Sequence, residues 1–238
     1  MCTQCDNFVP DRRRFLSGSA ASLVAAAGLL TAHRAIAAQG TSVAPDQAVE
    51  RLKAGNTKYV NAPQLCAADL LKQREQVAKG QTPWATVITC SDSRVPPELV
   101  FGGLGLGELF VARNAGNMVD TATMGTVEYG AEHLGVPLIV VMGHAKCGAV
   151  AAACETVKNG VRFPGSMGPM VNAIVPAAKA VYRKPGDFVD NAIRESARRT
   201  AIKVATASKI ISHLVKENKV KVLAAYYGLD DGRVEFLT

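Results

Sequence analysis

The apolar positions change period several times along the chain, and each period predicts an element. From residue 45, PDQAVERLKAGNTKYV places Ala48, Leu52, Tyr59 and Val60 on one side of a helix. CAADLLKQREQVAKG (66–80) repeats that periodicity and closes at Gly80. The pattern then becomes continuous. WATVITC (84–90) is apolar almost throughout, as a strand buried on both faces must be. ELFVARN (108–114) and VPLIVVMGH (136–144) read as two more strands, with a helix over DTATMGTVEYGAEHLG (120–135) between them. CGAVAAACETVKNG (147–160) opens another helix, and one long helical pattern runs from 187 to 218. The tail KVKVLAAYYGLDDGRVEFL reads as two strands around Asp231-Gly232, a hairpin signal. This alternation predicts an α/β fold. A central, mostly parallel β-sheet is flanked by helices, with an N-terminal helical arm and a C-terminal antiparallel edge strand.

GGLGLGELF (102–110) comes close to a dinucleotide-binding glycine pattern. It leads into a strand and not out of one into a helix, so it reads as a turn.

Composition narrows this picture. The chain has 238 residues, 48% hydrophobic but only 5% aromatic, which suits small aliphatic side chains packed between helices and a sheet. The net charge is +7, and the first 37 residues carry part of it. Without them, 23 of the 27 basic and 18 of the 20 acidic residues remain, scattered along the sequence. No basic stripe with interleaved aromatics exists, which excludes nucleic acid as the expected partner.

DRRRFLSGSAASLVAAAGLLTAHRAIAA has a basic front, a run of small apolar residues and a small-x-small site at Ala35-Ile36-Ala37. Arg12-Arg13-x-Phe15-Leu16 resembles the twin-arginine export signal. Residues 1–37 are therefore expected to be a signal peptide cleaved near Ala37, handed to the twin-arginine machinery and directing a periplasmic location. The alternative is a membrane anchor, for which the 18-residue run from Phe15 to Ala32 is short and weakly apolar. Residues 38–238 are expected to form a single domain, with 38–83 the helical arm and 84–238 the α/β core.

Six cysteines stand at 2, 5, 66, 90, 147 and 154. Cys2 and Cys5 would leave with the signal. The other four could form two disulfides in an oxidising compartment, but the surroundings of Cys90 and Cys147 point elsewhere. Cys90 ends the first strand, His144 ends the third, and Cys147 opens the helix after it. The C-terminal ends of parallel strands share one edge of a sheet, so the three can meet. Two thiolates and an imidazole are a natural zinc set, and three protein ligands leave a fourth position open. Asp92 can sit beside that position, and Arg94 can hold its carboxylate by two bonds. A structural zinc or two buried thiols is the alternative. Cys154 and Cys66 read as structural, Trp84 as packing at the strand entrance, and Glu128 and Arg113 as paired structural charges.

Cys90-Ser91-Asp92-Ser93-Arg94 followed by His144-x-x-Cys147 resembles the β-class carbonic anhydrases. GELFVARNAGN (107–117), VEYGAEHLGVPLIVVMGHAKCGAV (127–150) and AYYGLDDGRVEFL (225–237) extend the likeness over roughly residues 45–238. The resemblance implies one Zn2+ per subunit on Cys90, His144 and Cys147, with Asp92 and Arg94 as a catalytic dyad. It implies reversible hydration of carbon dioxide to bicarbonate by zinc-bound hydroxide, in a homodimer or a multiple of dimers with the site at the subunit interface. Gln81, nine residues before Cys90, matches the glutamine that one branch uses to bind substrate. Val87 stands where another branch has a tryptophan in a regulatory bicarbonate pocket, which places the chain in the first branch with a water-bound zinc and no such pocket, although Arg113 matches another member of it. Phe110 and Tyr129 match residues that line the substrate pocket from the partner subunit. The competing functions are hydrolysis of carbonyl sulfide or carbon disulfide at the same zinc, and a non-catalytic zinc- or anion-binding role.

Overall fold

The computed structural model describes residues 40–62 and 70–237. The reading of residues 1–37 as an export signal, and those of Cys2, Cys5 and Cys66, lie outside the described residues. Eight helices and five strands follow in the described chain: α1 (Pro45–Asn61), α2 (Leu70–Val77), β1 (Ala85–Cys90), α3 (Pro97–Val100), β2 (Leu109–Asn114), α4 (Thr121–Glu132), β3 (Leu138–His144), α5 (Gly148–Asn159), α6 (Met167–Val181), α7 (Phe188–Ala207), α8 (Lys209–Lys216), β4 (Lys221–Tyr227) and β5 (Val234–Leu237).

The sheet order is β2-β1-β3-β4-β5. The first four strands run parallel, and β5 returns antiparallel on β4 with Tyr227 opposite Val234. Every residue of β1 and β3 is buried, which is why their sequences show no polar alternation. The period of two survives in what each side chain meets. Leu138, Val140 and Met142 pack with Val87 and with Leu52 of α1 on one face. Ile88, Ile139 and Val141 pack with Ala197, Val204 and Ile211 of α7 and α8 on the other. A third apolar cluster joins Cys90 and Cys147 to α5, α6 and Ile193 of α7.

The arm is fixed to the core by backbone contact. A Cβ on Gly55 would lie 2.0 Å from the Phe101 carbonyl oxygen, so only glycine lets α1 approach the end of α3. The next residue, buried Asn56, donates to the Val100 and Gly232 carbonyls and accepts from the Val234 amide. It thereby ties α1 to both the first crossover and the last hairpin.

Three expectations change. The long pattern over 187–218 is two helices, because Ser208 is extended and its hydroxyl caps α8 by accepting from the Ile211 amide. The Ser208 hydroxyl also donates to Glu128 at 2.6 Å. Glu128 is therefore not paired with Arg113. Helix α6 was not expected at all, since Pro176 interrupts its sequence. Its pattern is nonetheless amphipathic, with Val171, Ile174, Ala177, Ala178 and Val181 buried. Pro176 and Asn172, whose carbonyl loses its helical partner to the proline, are both exposed, so the freed oxygen lies in a residue open to solvent. No helix among the described residues is long and apolar enough to cross a membrane.

Candidate metal centre

Three side chains converge at the C-terminal edge of the sheet. Cys90 is the last residue of β1, His144 the last of β3, and Cys147 the N-cap of α5. All three are buried, and their ligand atoms lie within 4.8 Å of one another. The Cys147 and Cys90 sulfurs are 4.0 Å apart. A tetrahedral zinc site with metal–sulfur bonds of ~2.3 Å has a sulfur–sulfur edge of about 3.8 Å, so the spacing fits.

The imidazole supplies the test of fit. His144 Nδ1 lies 2.9 Å from the Ala145 carbonyl oxygen, which can only accept, so Nδ1 carries the proton. Nε2 is left with a lone pair. It is buried and has no hydrogen-bond partner. A buried polar atom without a partner is costly, and a metal ion shared with two sulfurs is the partner this donor set suits.

The two sulfurs are hydrogen-bonded to each other. The Cys147 thiol donates to Cys90 and pulls it well below the ordinary thiol range, and the same bond pushes Cys147 upward. The Gly116 amide also donates to Cys90 Sγ, at 3.4 Å. Gly116 has φ +78°, and a Cβ there would meet Ile174 Cδ1 at 2.6 Å, so glycine is required where the amide turns toward sulfur. Cys154, two turns along α5, is a core residue whose thiol burial pushes up to about 11. The described cysteines Cys90, Cys147 and Cys154 are all free.

Asp92 stands beside this group. Its Oδ2 is 3.9 Å from His144 Nε2. Arg94 donates from Nε to Oδ1 at 2.9 Å, from Nη2 to Oδ2 at 2.8 Å, and from its backbone amide to Oδ1 at 3.0 Å. These bonds, the side-chain ones foremost, hold the Asp92 carboxyl well below the usual carboxylate range. The carboxylate is thus an acceptor only.

The other expected site residues lie elsewhere in the chain. Phe110 pairs with Thr86, while Cys90 pairs with Asn114, so Phe110 sits about 13 Å back along the strand direction. Tyr129 of α4 is 50% exposed, with its ring 6.2 Å from that of Phe110 and 5.1 Å from His133. Gln81 is exposed, four residues before β1 begins. Within one chain these three line the N-terminal end of the sheet, opposite the metal centre. Trp84 is buried there as expected, donating to Glu108.

Sequence reasoning missed the supporting loop. Asn114 holds Met118 by both backbone groups, at 2.8 Å each, and closes the turn that presents Gly116. The signal was present in RNAGN (113–117), two amides around a glycine directly after a strand.

Residues 85–234 match the carbonic anhydrase family. Carbonic anhydrase 2 of Mycobacterium tuberculosis is 34% identical over 189 residues, covering 79% of this chain and 91% of that protein. The carbonic anhydrase of Mycolicibacterium smegmatis is 34% identical over 192 residues, covering 80% and 92%. Among solved structures, a tetrameric β-carbonic anhydrase from Sordaria macrospora superposes with TM-score 0.62 at 27% identity, over 68% of this chain and 84% of that one. The Coccomyxa β-carbonic anhydrase in complex with acetazolamide gives 0.61 at 27%, over 76% and 82%.

Proposed function

The chain belongs to the β-class carbonic anhydrase family, and from that premise we propose that it hydrates carbon dioxide reversibly at a zinc ion held by Cys90, His144 and Cys147. The observation that carries the zinc assignment is the unpartnered His144 Nε2 facing two sulfurs, with a clamped carboxylate alongside. Bound there, zinc would act as a Lewis acid that makes a water acidic near neutral pH.

The chain's own residues do the rest. Asp92, fixed by Arg94, accepts a hydrogen bond from the attacking water and so turns an oxygen lone pair toward the carbon. Its lowered pKa makes it a poor base, so it orients and does not deprotonate. The proton released leaves to solvent.

Gln81, Phe110 and Tyr129 complete the substrate pocket from a second copy of the chain. The half-exposed β2 edge, with Leu109, Phe110 and Val111, supports this, and Tyr129 extends the same apolar face. A dimer or multiple of dimers follows. The relative from Sordaria macrospora is tetrameric. The sequence of residues 12–16 and 35–37 supports export through the twin-arginine route to the periplasm.

Stopped-flow hydration of carbon dioxide by zinc-analysed protein, beside carbonyl sulfide as a competing electrophile, tests the reading. Fast hydration in proportion to zinc is expected. Full zinc with turnover of carbonyl sulfide alone would replace the substrate, and full zinc with turnover of neither would leave a binding role.

A further inference from the structure

Arg94 fixes the Asp92 carboxylate, but both belong to one short turn. Their bonds hold the turn to itself, and if residues 92–94 moved as a body the pair would move intact. Something outside the turn must hold Asp92 in place relative to Cys90.

Arg113 is placed to do this. It is the penultimate residue of β2, in register with Thr89. Its Nε donates to the Cys90 carbonyl at 3.0 Å and its Nη2 to the Asp92 carbonyl at 2.6 Å. One planar guanidinium thus bridges the main-chain carbonyls on either side of Ser91, those of Cys90 and of Asp92. Charge-assisted bonds in a rigid fork set geometry more firmly than neutral ones. Other ties nearby are backbone bonds: the Ser91 amide to the Asn114 carbonyl and the Val95 amide to the Asp92 carbonyl, both 3.0 Å, and the Asp92 amide to the Cys90 sulfur. The last two lie within residues 90–95. Among these bonds, Arg113 alone links the Asp92 residue to a neighbouring strand.

We propose that Arg113 is a positioning residue that acts through Asp92, locking the backbone of residues 90–92 so that the carboxylate keeps its place beside the metal centre. The inference rests on the hydratase reading above. It concerns the geometry of the turn, so it has a reading independent of turnover.

A double-mutant cycle tests it, with the parent, Arg113→Gln, Asp92→Asn and the double variant each loaded with zinc and, separately, with Co2+. Arg113→Gln is expected to lower kcat per bound zinc at least ten-fold with KM changed less than two-fold. In the Asp92→Asn background the same substitution is expected to change kcat less than two-fold, since nothing is left to position. The visible bands of the Co2+ protein should shift more with Arg113→Gln when Asp92 is present than when it is Asn, the remaining shift reporting the lost bond to the Cys90 carbonyl. Where the Gln variant does not fold, Arg113→Lys, which keeps the charge but cannot span both carbonyls, carries the same expectations. Equal losses in both backgrounds, or an unchanged kcat per zinc, would overturn the proposal. A parent that is fully loaded but inactive would remove the hydratase reading, while the cobalt cycle still reports on Arg113 and Asp92.

Discussion

The two ends of strand β1 are built differently. At its C-terminal end, Cys90 meets His144 and Cys147 in a buried group whose three ligand atoms are supplied by one chain. At its N-terminal end, Gln81 is exposed, and Phe110 and Tyr129 present a half-covered apolar edge. The metal centre is a property of the protomer, fixed by strand register and a helix N-terminus. On the proposed reading, Gln81, Phe110 and Tyr129 belong to a surface that becomes a pocket wall only against a second copy of the chain. Fold and function divide along that line, and each half can be perturbed without the other.

The largest effect is expected from Cys147→Ser. It removes a ligand and leaves His144 Nε2 still unpartnered, so zinc should fall below about 0.1 per chain and hydration by at least ~1,000-fold. Metal analysis beside stopped-flow rates checks this. Retained zinc with normal rates would place the metal elsewhere.

Tyr129→Asp attacks the other end. A carboxylate on the β2 face should weaken self-association by roughly 100-fold. Zinc per chain should be unchanged, and activity should be lost on dilution as the dimer dissociates in analytical ultracentrifugation. Activity that persists in a demonstrated monomer would show that one chain holds a complete site.

Arg94→Gln separates charge from position. In the parent, the Arg94 bonds lower the Asp92 pKa, so the carboxylate stays ionised as pH falls through the ordinary carboxylate range. The stability this gives is present above the unfolded-state pKa and is lost only as pH falls through the lower folded value. Without Arg94 the folded value rises toward the unfolded one, and the contribution shrinks toward nothing. The carboxyl 13C shift of Asp92 should be flat from pH 7 to 4 in the parent and begin to titrate in the variant.

The smallest effect is expected at Ser208, which touches neither end. Ser208→Ala removes the α8 cap and the hydroxyl bonded to Glu128, at a cost of about 1 kcal/mol. Denaturant midpoints should shift while kcat per zinc holds. A fall in kcat would mean that the α4–α8 contact reaches the site.

Sequence legibility follows the same division. Buried strands announced themselves because β1 and β3 are covered on both faces, and CSDSR with HxxC announced the metal centre because its residue types have few other uses at that spacing. Helix α6 was hidden by Pro176, whose disruption is harmless only because it faces water, a fact of packing and not of local pattern. The break at Ser208 was hidden because periodicity continues across it and only its extended backbone separates α7 from α8. Arg113 looked like half of an ion pair. Its bonds go to carbonyls, which every residue has, so no side-chain pattern could reveal them. The residues at the N-terminal end of β1 were assigned by resemblance alone, and one chain does not bring them to the metal centre.

On the proposed reading, water activated at the Cys90–His144–Cys147 site and oriented by Asp92 attacks carbon dioxide. Loss of 18O from labelled carbon dioxide into water, followed by mass spectrometry, reads that oxygen transfer directly. The zinc-loaded parent should deplete the label rapidly, and Asp92→Asn, with equal zinc, should do so ~100-fold more slowly or worse. Equal depletion by the two proteins would contradict the role of Asp92, and no depletion by the loaded parent would contradict the hydratase itself.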